Sequence, residues 1–286
     1  MGDVLKMMDI EKYEVKGAYG DRKVMVEYAC EKGNRKLMVL FHGVHGSASF
    51  VQGNKYASLA DILVPEGFDV CLVETSRKIR ERAPESEKMA WIWNSFRGKR
   101  YCDDLYDNCQ ALAFILKKFP HNFTALWGFS LGGLHSIFIK GGLWNKFLCN
   151  CGLSDLPLLD TNKIALLITS GSGDSLREGG AESLSLPILS TVPSAAMLHE
   201  AAGNIHNCIF LSFYGENDAT FSEMSCRRIY STIPLGDSDK SFHIIKGSDH
   251  SFREIDGKPT TEPLQQMVTV ISEFLQNHGQ PADMPK

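Results

Sequence analysis

Ser130, Asp218 and His250 are the residues whose types and places in the chain suit nucleophilic chemistry. Ser130 is the centre of Gly128-Phe129-Ser130-Leu131-Gly132, between an apolar run from Phe123 to Trp127 and a segment from Leu134 to Ile139 whose apolar residues recur at helical spacing. Asp218 closes Gly215-Glu216-Asn217-Asp218 after the apolar run Cys208 to Tyr214, and His250 closes Lys246-Gly247-Ser248-Asp249-His250 after Phe242 to Ile245. A serine hydroxyl is a weak nucleophile at neutral pH and needs a base to take its proton. Histidine titrates near the working pH, so it can accept that proton and return it to a leaving group. An aspartate behind it holds the imidazole in one tautomer and stabilises its protonated form. Each of the three follows a predicted strand, at the edge where open α/β sheets place their sites.

The flanking glycines have a steric reason. A turn tight enough to join the strand to the helix at Ser130 brings positions two residues either side against neighbouring backbone, where a Cβ would collide; Gly128 and Gly132 have none. The helix that follows also points free N–H groups and its positive dipole end at whatever the serine attacks. This stretch resembles the nucleophile elbow of the α/β-hydrolase family, in which Ser130 would be the nucleophile, and Ser130, Asp218, His250 is that family's chain order. His42-Gly43-Val44-His45-Gly46-Ser47 is similar to the family's oxyanion loop. The resemblance implies backbone N–H donors at Val44 and Leu131, with His42 and Gly43 shaping the loop. It implies an acyl-serine mechanism on a small-molecule ester or thioester, with no metal and no organic cofactor. A serine at this position argues against the fold's aspartate-dependent dehalogenases and epoxide hydrolases. Asp155 is a rival acid, because some lipase relatives carry theirs after an earlier strand. His243 and His135 fall inside predicted elements, His199 and His206 in a later insertion, and His42 and His45 in the oxyanion loop, so His250 is preferred as the base.

The elements that must position these residues alternate. Residues 12–17 and 23–30 read as an antiparallel hairpin turning at Gly17 to Asp21. Leu37 to Phe41 is a continuous apolar run, expected of a strand buried on both faces of a parallel sheet. A helix from Ala57 to Leu63, a strand from Phe68 to Val73 and a helix from Asp103 to Lys118 follow, then the elbow strand and its helix, and Phe147 to Gly152 as a further strand. Cys208 to Tyr214 and Phe242 to Ile245 are the last strands and Pro263 to Phe274 a closing helix. The fold class is therefore α/β: a mostly parallel sheet with helices on both faces, an N-terminal antiparallel hairpin and, in the family's pattern, a small inserted cap. All 286 residues are read as one domain, with 153–207 as the cap.

That segment is poor in charge, and its apolar patches at Ile164–Ile168, Leu184–Leu189 and Ala195–Leu198 are expected to fold over the mouth above Ser130. This favours a small to medium apolar acyl group. Its Gly173-Asp174-Ser175-Leu176 spells the motif of another hydrolase family, but that motif belongs near the N-terminus after the first strand, so the match reads as coincidence. Residues 75–100 depart from the resemblance. Arg77, Lys78, Arg80 and Arg82 are interleaved with Trp91, Trp93 and Phe96, either a solvated charged excursion or a site for an anionic or aromatic group.

A net charge of −4 gives no basic stripe for nucleic acid. No apolar run near Met1 is long enough for a leader or a membrane span, and Lys6 stands where a myristoylation signal takes Ser or Thr. The eight cysteines are expected to be reduced thiols in a cytoplasmic protein, and Cys149-Asn150-Cys151 lacks the second pair a zinc site needs. Acyl length, ester against thioester against amide, and oligomeric state are not encoded legibly. A receptor, scaffold or peptidase on the same fold remains an alternative, since fold does not fix function.

Overall fold

The hairpin predicted at the N-terminus forms one edge of an eight-stranded sheet. The structure is a computed structural model and describes residues 9–44, 46–178, 187–253 and 261–278. His45, the first eight residues, Leu184 to Leu186 of one apolar patch, and the tail after 280 lie outside the described residues. β1 (Ile10–Lys16) and β2 (Lys23–Ala29) pair antiparallel, with Ile10 opposite Ala29 and Lys16 opposite Lys23. Then come β3 (Lys36–Phe41), α1 (Lys55–Leu63), β4 (Phe68–Glu74), α2 (Lys88–Phe96), α3 (Tyr101–Lys118), β5 (Phe123–Phe129) and α4 (Leu131–Lys140). They are followed by α5 (Trp144–Asn150), β6 (Ile164–Ser170), α6 (Pro187–Ser190), α7 (Ala195–Gly203), β7 (Ile209–Gly215), α8 (Glu223–Thr232), β8 (Lys240–Ile245) and α9 (Glu262–Asn277). The sheet order is β1-β2-β4-β3-β5-β6-β7-β8, antiparallel as far as β4 and parallel from there on.

The unbroken apolar strands are buried on both faces, as their composition requires. In β3, Leu37, Val39 and Phe41 point into one core, with α3, α4, α5, α7 and α8; Met38 and Leu40 point into the other, closed by α1 and α9. Strand periodicity of two thus divides one sequence run between two layers.

Two expectations are corrected. Phe147 to Gly152 is not a strand but the end of α5 and its turn. Trp144 and Leu148 are buried, Leu143, Phe147 and Cys151 pack beside them, and Asn145, Lys146, Cys149 and Asn150 face outward or sit at the edge. Apolar residues at i, i+4 and i+8 mark one helix face, and that spacing outweighs the short apolar run. The missing strand is β6, which lies inside the segment 153–207 expected to be a cap. It pairs with β5 and β7 in the middle of the sheet. α7 is no cap either, since Leu198, Ala201 and Ala202 are core residues and a Cβ on Gly141, just after α4, would stand 2.1 Å from the Ala201 carbonyl oxygen. Among the described residues of that segment after β6, what remains outside the regular alternation is 171–178 and 187–194.

Residues 75–100 are corrected as well. Lys99 is completely buried, and its ammonium meets the Asp104 carboxylate, Thr75 Oγ1 at 2.8 Å and the Ser76 carbonyl oxygen at 2.5 Å. Arg77 is buried against Glu74, and Arg80 bridges Glu74 and Asp21. The predicted basic cluster is thus largely spent on the protein's own carboxylates. All eight cysteines are free thiols, and no helix among the described residues is long and apolar enough to cross a membrane.

Candidate active site

β5 ends at Phe129 and α4 begins at Leu131, so a single residue makes the turn. Ser130 adopts φ 54°, ψ −118°, a backbone conformation that L-residues rarely hold without support. The support is specific. Ser130 N–H donates to the Ser170 carbonyl at 2.8 Å, and Ser172 Oγ–H donates to the Ser130 carbonyl at 2.9 Å, both from the end of β6. A Cβ on Gly128 would lie 2.3 Å from the Gly132 carbonyl oxygen, and one on Gly132 would lie 2.6 Å from those of Phe41 and His42. The steric role predicted for both glycines is visible in these distances. Gly133 is held by the same crowding, since its Cβ would stand 2.0 Å from Ser172 Oγ. Sequence reasoning missed Ser170 and Ser172, which end and follow a strand that was itself misplaced, and Gly133, which packs against Ser172.

Asp218 follows β7, and its side chain is fully buried. Its Oδ1 accepts the N–H groups of Thr220 at 2.7 Å and Phe221 at 2.9 Å, which fixes the carboxylate plane and leaves Oδ2 for His250 Nδ1 at 2.8 Å. A carboxylate only accepts, so the imidazole proton resides on Nδ1 and Nε2 presents its lone pair. Ser130 Oγ stands 3.0 Å from that Nε2. Gly171, at φ 57°, passes so close that a Cβ there would reach 3.1 Å from His250 Nδ1 and 3.3 Å from Asp218 Oδ2. The three predicted residues, 88 and 32 positions apart in the chain, are therefore brought into one hydrogen-bonded row.

No family model matches the sequence, and no curated protein matches it. Solved structures do. An esterase of Pyrococcus furiosus superposes with a TM-score of 0.62 at 12% identity, over 97% of this chain and 95% of that one. A cold-adapted esterase from an Arctic intertidal metagenomic library gives 0.57 at 18% identity, over 93% and 94%. The esterase domain of a Rhodothermus marinus protein gives 0.58 at 12% identity, over 94% and 99%. The chain has the α/β-hydrolase fold.

Within that α/β-hydrolase fold, the loop after β3 runs alongside the elbow, where a Cβ on Gly43 would come 3.2 Å from Ser130 Cβ. His42 braces this loop. Its Nε2 accepts the Thr75 N–H at 3.1 Å, which forces the proton onto Nδ1, and Nδ1–H donates to the Gly43 carbonyl at 2.6 Å. Both nitrogens are thus occupied, and burial lowers its pKa, in the direction of the neutral form that accepts from Thr75. Val44 and Leu131 line the cavity beside Ser130, and Leu131 is the first residue of α4, whose opening N–H groups have no acceptor within the helix.

The rivals stand elsewhere. Asp155 is exposed and pairs with Lys16 of β1. His135 is buried beside Asn108, its Nδ1 3.0 Å from Asn108 Nδ2, and burial pushes its pKa down to about 3. His243 lies in β8, and His206 is exposed before β7. His199 pairs with Asp174 at 3.0 Å and with Thr232 Oγ1 at 2.7 Å. Ser175 of the Gly173–Leu176 run is hydrogen-bonded to Asp174 Oδ1 at 3.0 Å and to no histidine among the described residues, although the run does line the site. The cavity at Ser130 measures about 390 Å³, with an apolar wall from Leu131, Leu134, Leu176, Leu189, Val192 and Phe221. Two charged side chains, Lys55 and Asp174, line it too. Sequence reasoning singled out neither for the pocket.

Proposed function

We propose that the protein is a serine hydrolase that cleaves a carboxylic ester through an acyl-Ser130 intermediate. The observation that carries this reading is the row from Ser130 Oγ through His250 to Asp218, at 3.0 and 2.8 Å. As Ser130 Oγ attacks the ester carbonyl carbon, its proton passes to His250 Nε2 and the carbonyl π pair moves onto oxygen. The N–H groups of Val44 and Leu131 stabilise that oxyanion, and Asp218 stabilises the imidazolium. His250 then gives the proton to the departing alcohol oxygen, leaving acyl-Ser130. Water repeats the sequence with His250 as base, releasing the acid and restoring the serine.

Leucine and valine on one wall suit a small to medium apolar acyl group, with α6 and the segment before α7 as the cap of a single domain. Each methylene buried adds roughly 0.8 kcal/mol, or about fourfold in kcat/KM, until the wall is covered. Eight free thiols fit a reducing, cytoplasmic setting.

The reading is tested with a fluorophosphonate probe and a series of 4-nitrophenyl esters from acetyl to decanoyl. Wild type should label at Ser130 and turn over repeatedly, with kcat/KM rising and then falling along the series. Ser130→Ala should lose labelling and all but a trace of kcat. Labelling with at most one turnover would make the protein a receptor, and a Ser130→Ala variant retaining a tenth of kcat would remove Ser130 from the chemistry.

A further inference from the structure

Lys55 is the first residue of α1, with Asn54 Oδ1 accepting the Tyr56 N–H at 2.9 Å to cap the helix. Its ammonium lies 4.1 Å from the centroid of the Phe129 ring and 5.1 Å from that of Tyr56, and 3.5 Å from the Ser251 carbonyl oxygen. Phe129 immediately precedes Ser130 and Ser251 immediately follows His250, so this cation borders both ends of the reacting pair. A lysine with no duty would extend its head into water. Lys55 instead lines the cavity.

Among the described residues Lys55 forms no ion pair. The charged groups facing it are Asp249 and Arg253 of the His250 loop. These two are spent on each other, Arg253 Nη2 donating to Asp249 Oδ2 at 2.9 Å. Asp174, the cavity's other charged lining residue, has its carboxylate bound by Arg228 at 2.5 and 2.7 Å and by His199 at 3.0 Å. Among the described residues the cavity thus holds an anion paired with cations and a cation with no carboxylate paired to it. Lys55 is half-buried; holding its ammonium against ring faces, with one long hydrogen bond, strips part of its water and is costly, and that desolvation pushes the Lys55 pKa down to about 7. An anion arriving there would relieve that cost.

We propose that Lys55 determines specificity at this site and that the substrate carries a carboxylate on its alcohol portion. The proposal rests on the ester-hydrolysis reading. The side follows from that chemistry: His250 protonates the leaving oxygen, so the alcohol departs past the His250–Ser251 loop, where Lys55 stands, and the leucine wall is left for the acyl group. A carboxylate fits better than a dianionic phosphate, because one ammonium balances one charge and no arginine or second lysine lines the cavity among the described residues.

The test compares 3- and 4-acetoxybenzoate with the corresponding acetoxybenzamides, which keep shape and lose charge. Mono(4-nitrophenyl) glutarate against 4-nitrophenyl butyrate serves as the acyl-side control. In wild type, kcat/KM for at least one benzoate should exceed that for its benzamide. The ratio should fall on the order of 10- to 100-fold in Lys55→Met and be largely restored in Lys55→Arg. Taking the ratio cancels the proton requirement of His250, so in wild type it should decline as pH rises through about 7, where Lys55 loses its charge, and stay level in Lys55→Arg. Calorimetric binding of 3- and 4-hydroxybenzoate against the hydroxybenzamides, in wild type and both variants, reads the same preference without turnover. Carboxylate binding that depends on Lys55, in a protein that hydrolyses none of these esters, would support the anion site and overturn the esterase reading alone. Equal handling of acid and amide in both assays, a preference that survives in Lys55→Met, or a Lys55-dependent preference for the glutarate ester would overturn the proposal.

Discussion

At Asp218, local geometry narrows what the residue type alone leaves open. Both carboxylate oxygens are assigned: Oδ1 to two backbone N–H groups, Oδ2 to His250. Asp218→Asn would leave a side chain of the same shape, but its amide can donate where His250 Nδ1–H needs an acceptor, and the imidazole would then present the wrong tautomer to Ser130. The expected loss in kcat is on the order of 10⁴-fold, by analogy with the serine-protease aspartate. Asp155→Asn removes only an exposed pair with Lys16 and should leave kcat within about twofold. Measuring both variants on one ester ranks the two acids, and the reverse ranking would move the acid to the segment before β6. Ser130, Asp218 and His250 were legible because each is a chemically distinctive residue just after an apolar run. Lys55 was not, because nothing around it in the sequence distinguishes a pocket lysine from the many at helix ends. Its place depends on Phe129 and Ser251, 74 and 196 residues away.

At the scale of elements, α3 fastens the crossing between β4 and the helices that follow. Asp107 of α3 accepts Ala18 N–H at 2.7 Å from the hairpin turn, and Ser76 N–H at 2.7 Å and Oγ–H at 2.6 Å from the end of β4. Lys99 lies against Asp104 and within 3.8 Å of Asp107. Burial raises the pKa of Asp107 to about 6, while Lys99 opposes that shift. Removing the cation leaves two buried carboxylates facing each other, so Lys99→Met should destabilise by about 3–5 kcal/mol. Urea unfolding followed by tryptophan fluorescence checks this; a loss under 1 kcal/mol would mean that water or relaxation already compensates the charges. This network is also why residues 75–100 were misread. A run of Arg and Lys looks solvated when its carboxylate partners, Glu74, Asp104 and Asp107, belong to elements whose docking the sequence does not spell out. The sheet itself was mostly legible, because runs such as Leu37 to Phe41 are too uniformly apolar for anything but burial on both faces. β6 escaped because the family resemblance led the reading to expect an insertion where Ile164–Ser170 continues the sheet, and because α5 offered a short apolar run that imitated a strand.

Over the whole molecule, Asp174 joins parts that the sheet alone does not hold together. It stands in the loop after β6, binds Arg228 of α8 through both oxygens and His199 of α7 through Oδ2, and His199 passes the link on to Thr232 of α8. Burial alone would raise its pKa, but the hydrogen bonds from Arg228 and His199 outweigh that and hold it at about 2. In the unfolded chain an aspartate titrates near 3.9. A carboxyl whose folded pKa is depressed contributes stability that is fully present above the unfolded value, and the contribution is lost as pH falls from about 4 to about 2. Arg228 is nearly half exposed, so solvent screens the pair and the contribution should be modest, about 1–2 kcal/mol. For a chain of this length that corresponds to roughly 2–6 °C in Tm. Asp174→Asn should therefore melt a few degrees below wild type at pH 7, and the gap should close progressively below pH 4 as the wild-type carboxyl takes up its proton. Scanning calorimetry of both proteins at several pH values between 7 and 2.5 follows it, provided unfolding stays reversible. A gap that is constant across that range would show that the loss comes from packing rather than from the ionised carboxylate, and that the tie between the β6 loop and α8 does not depend on charge.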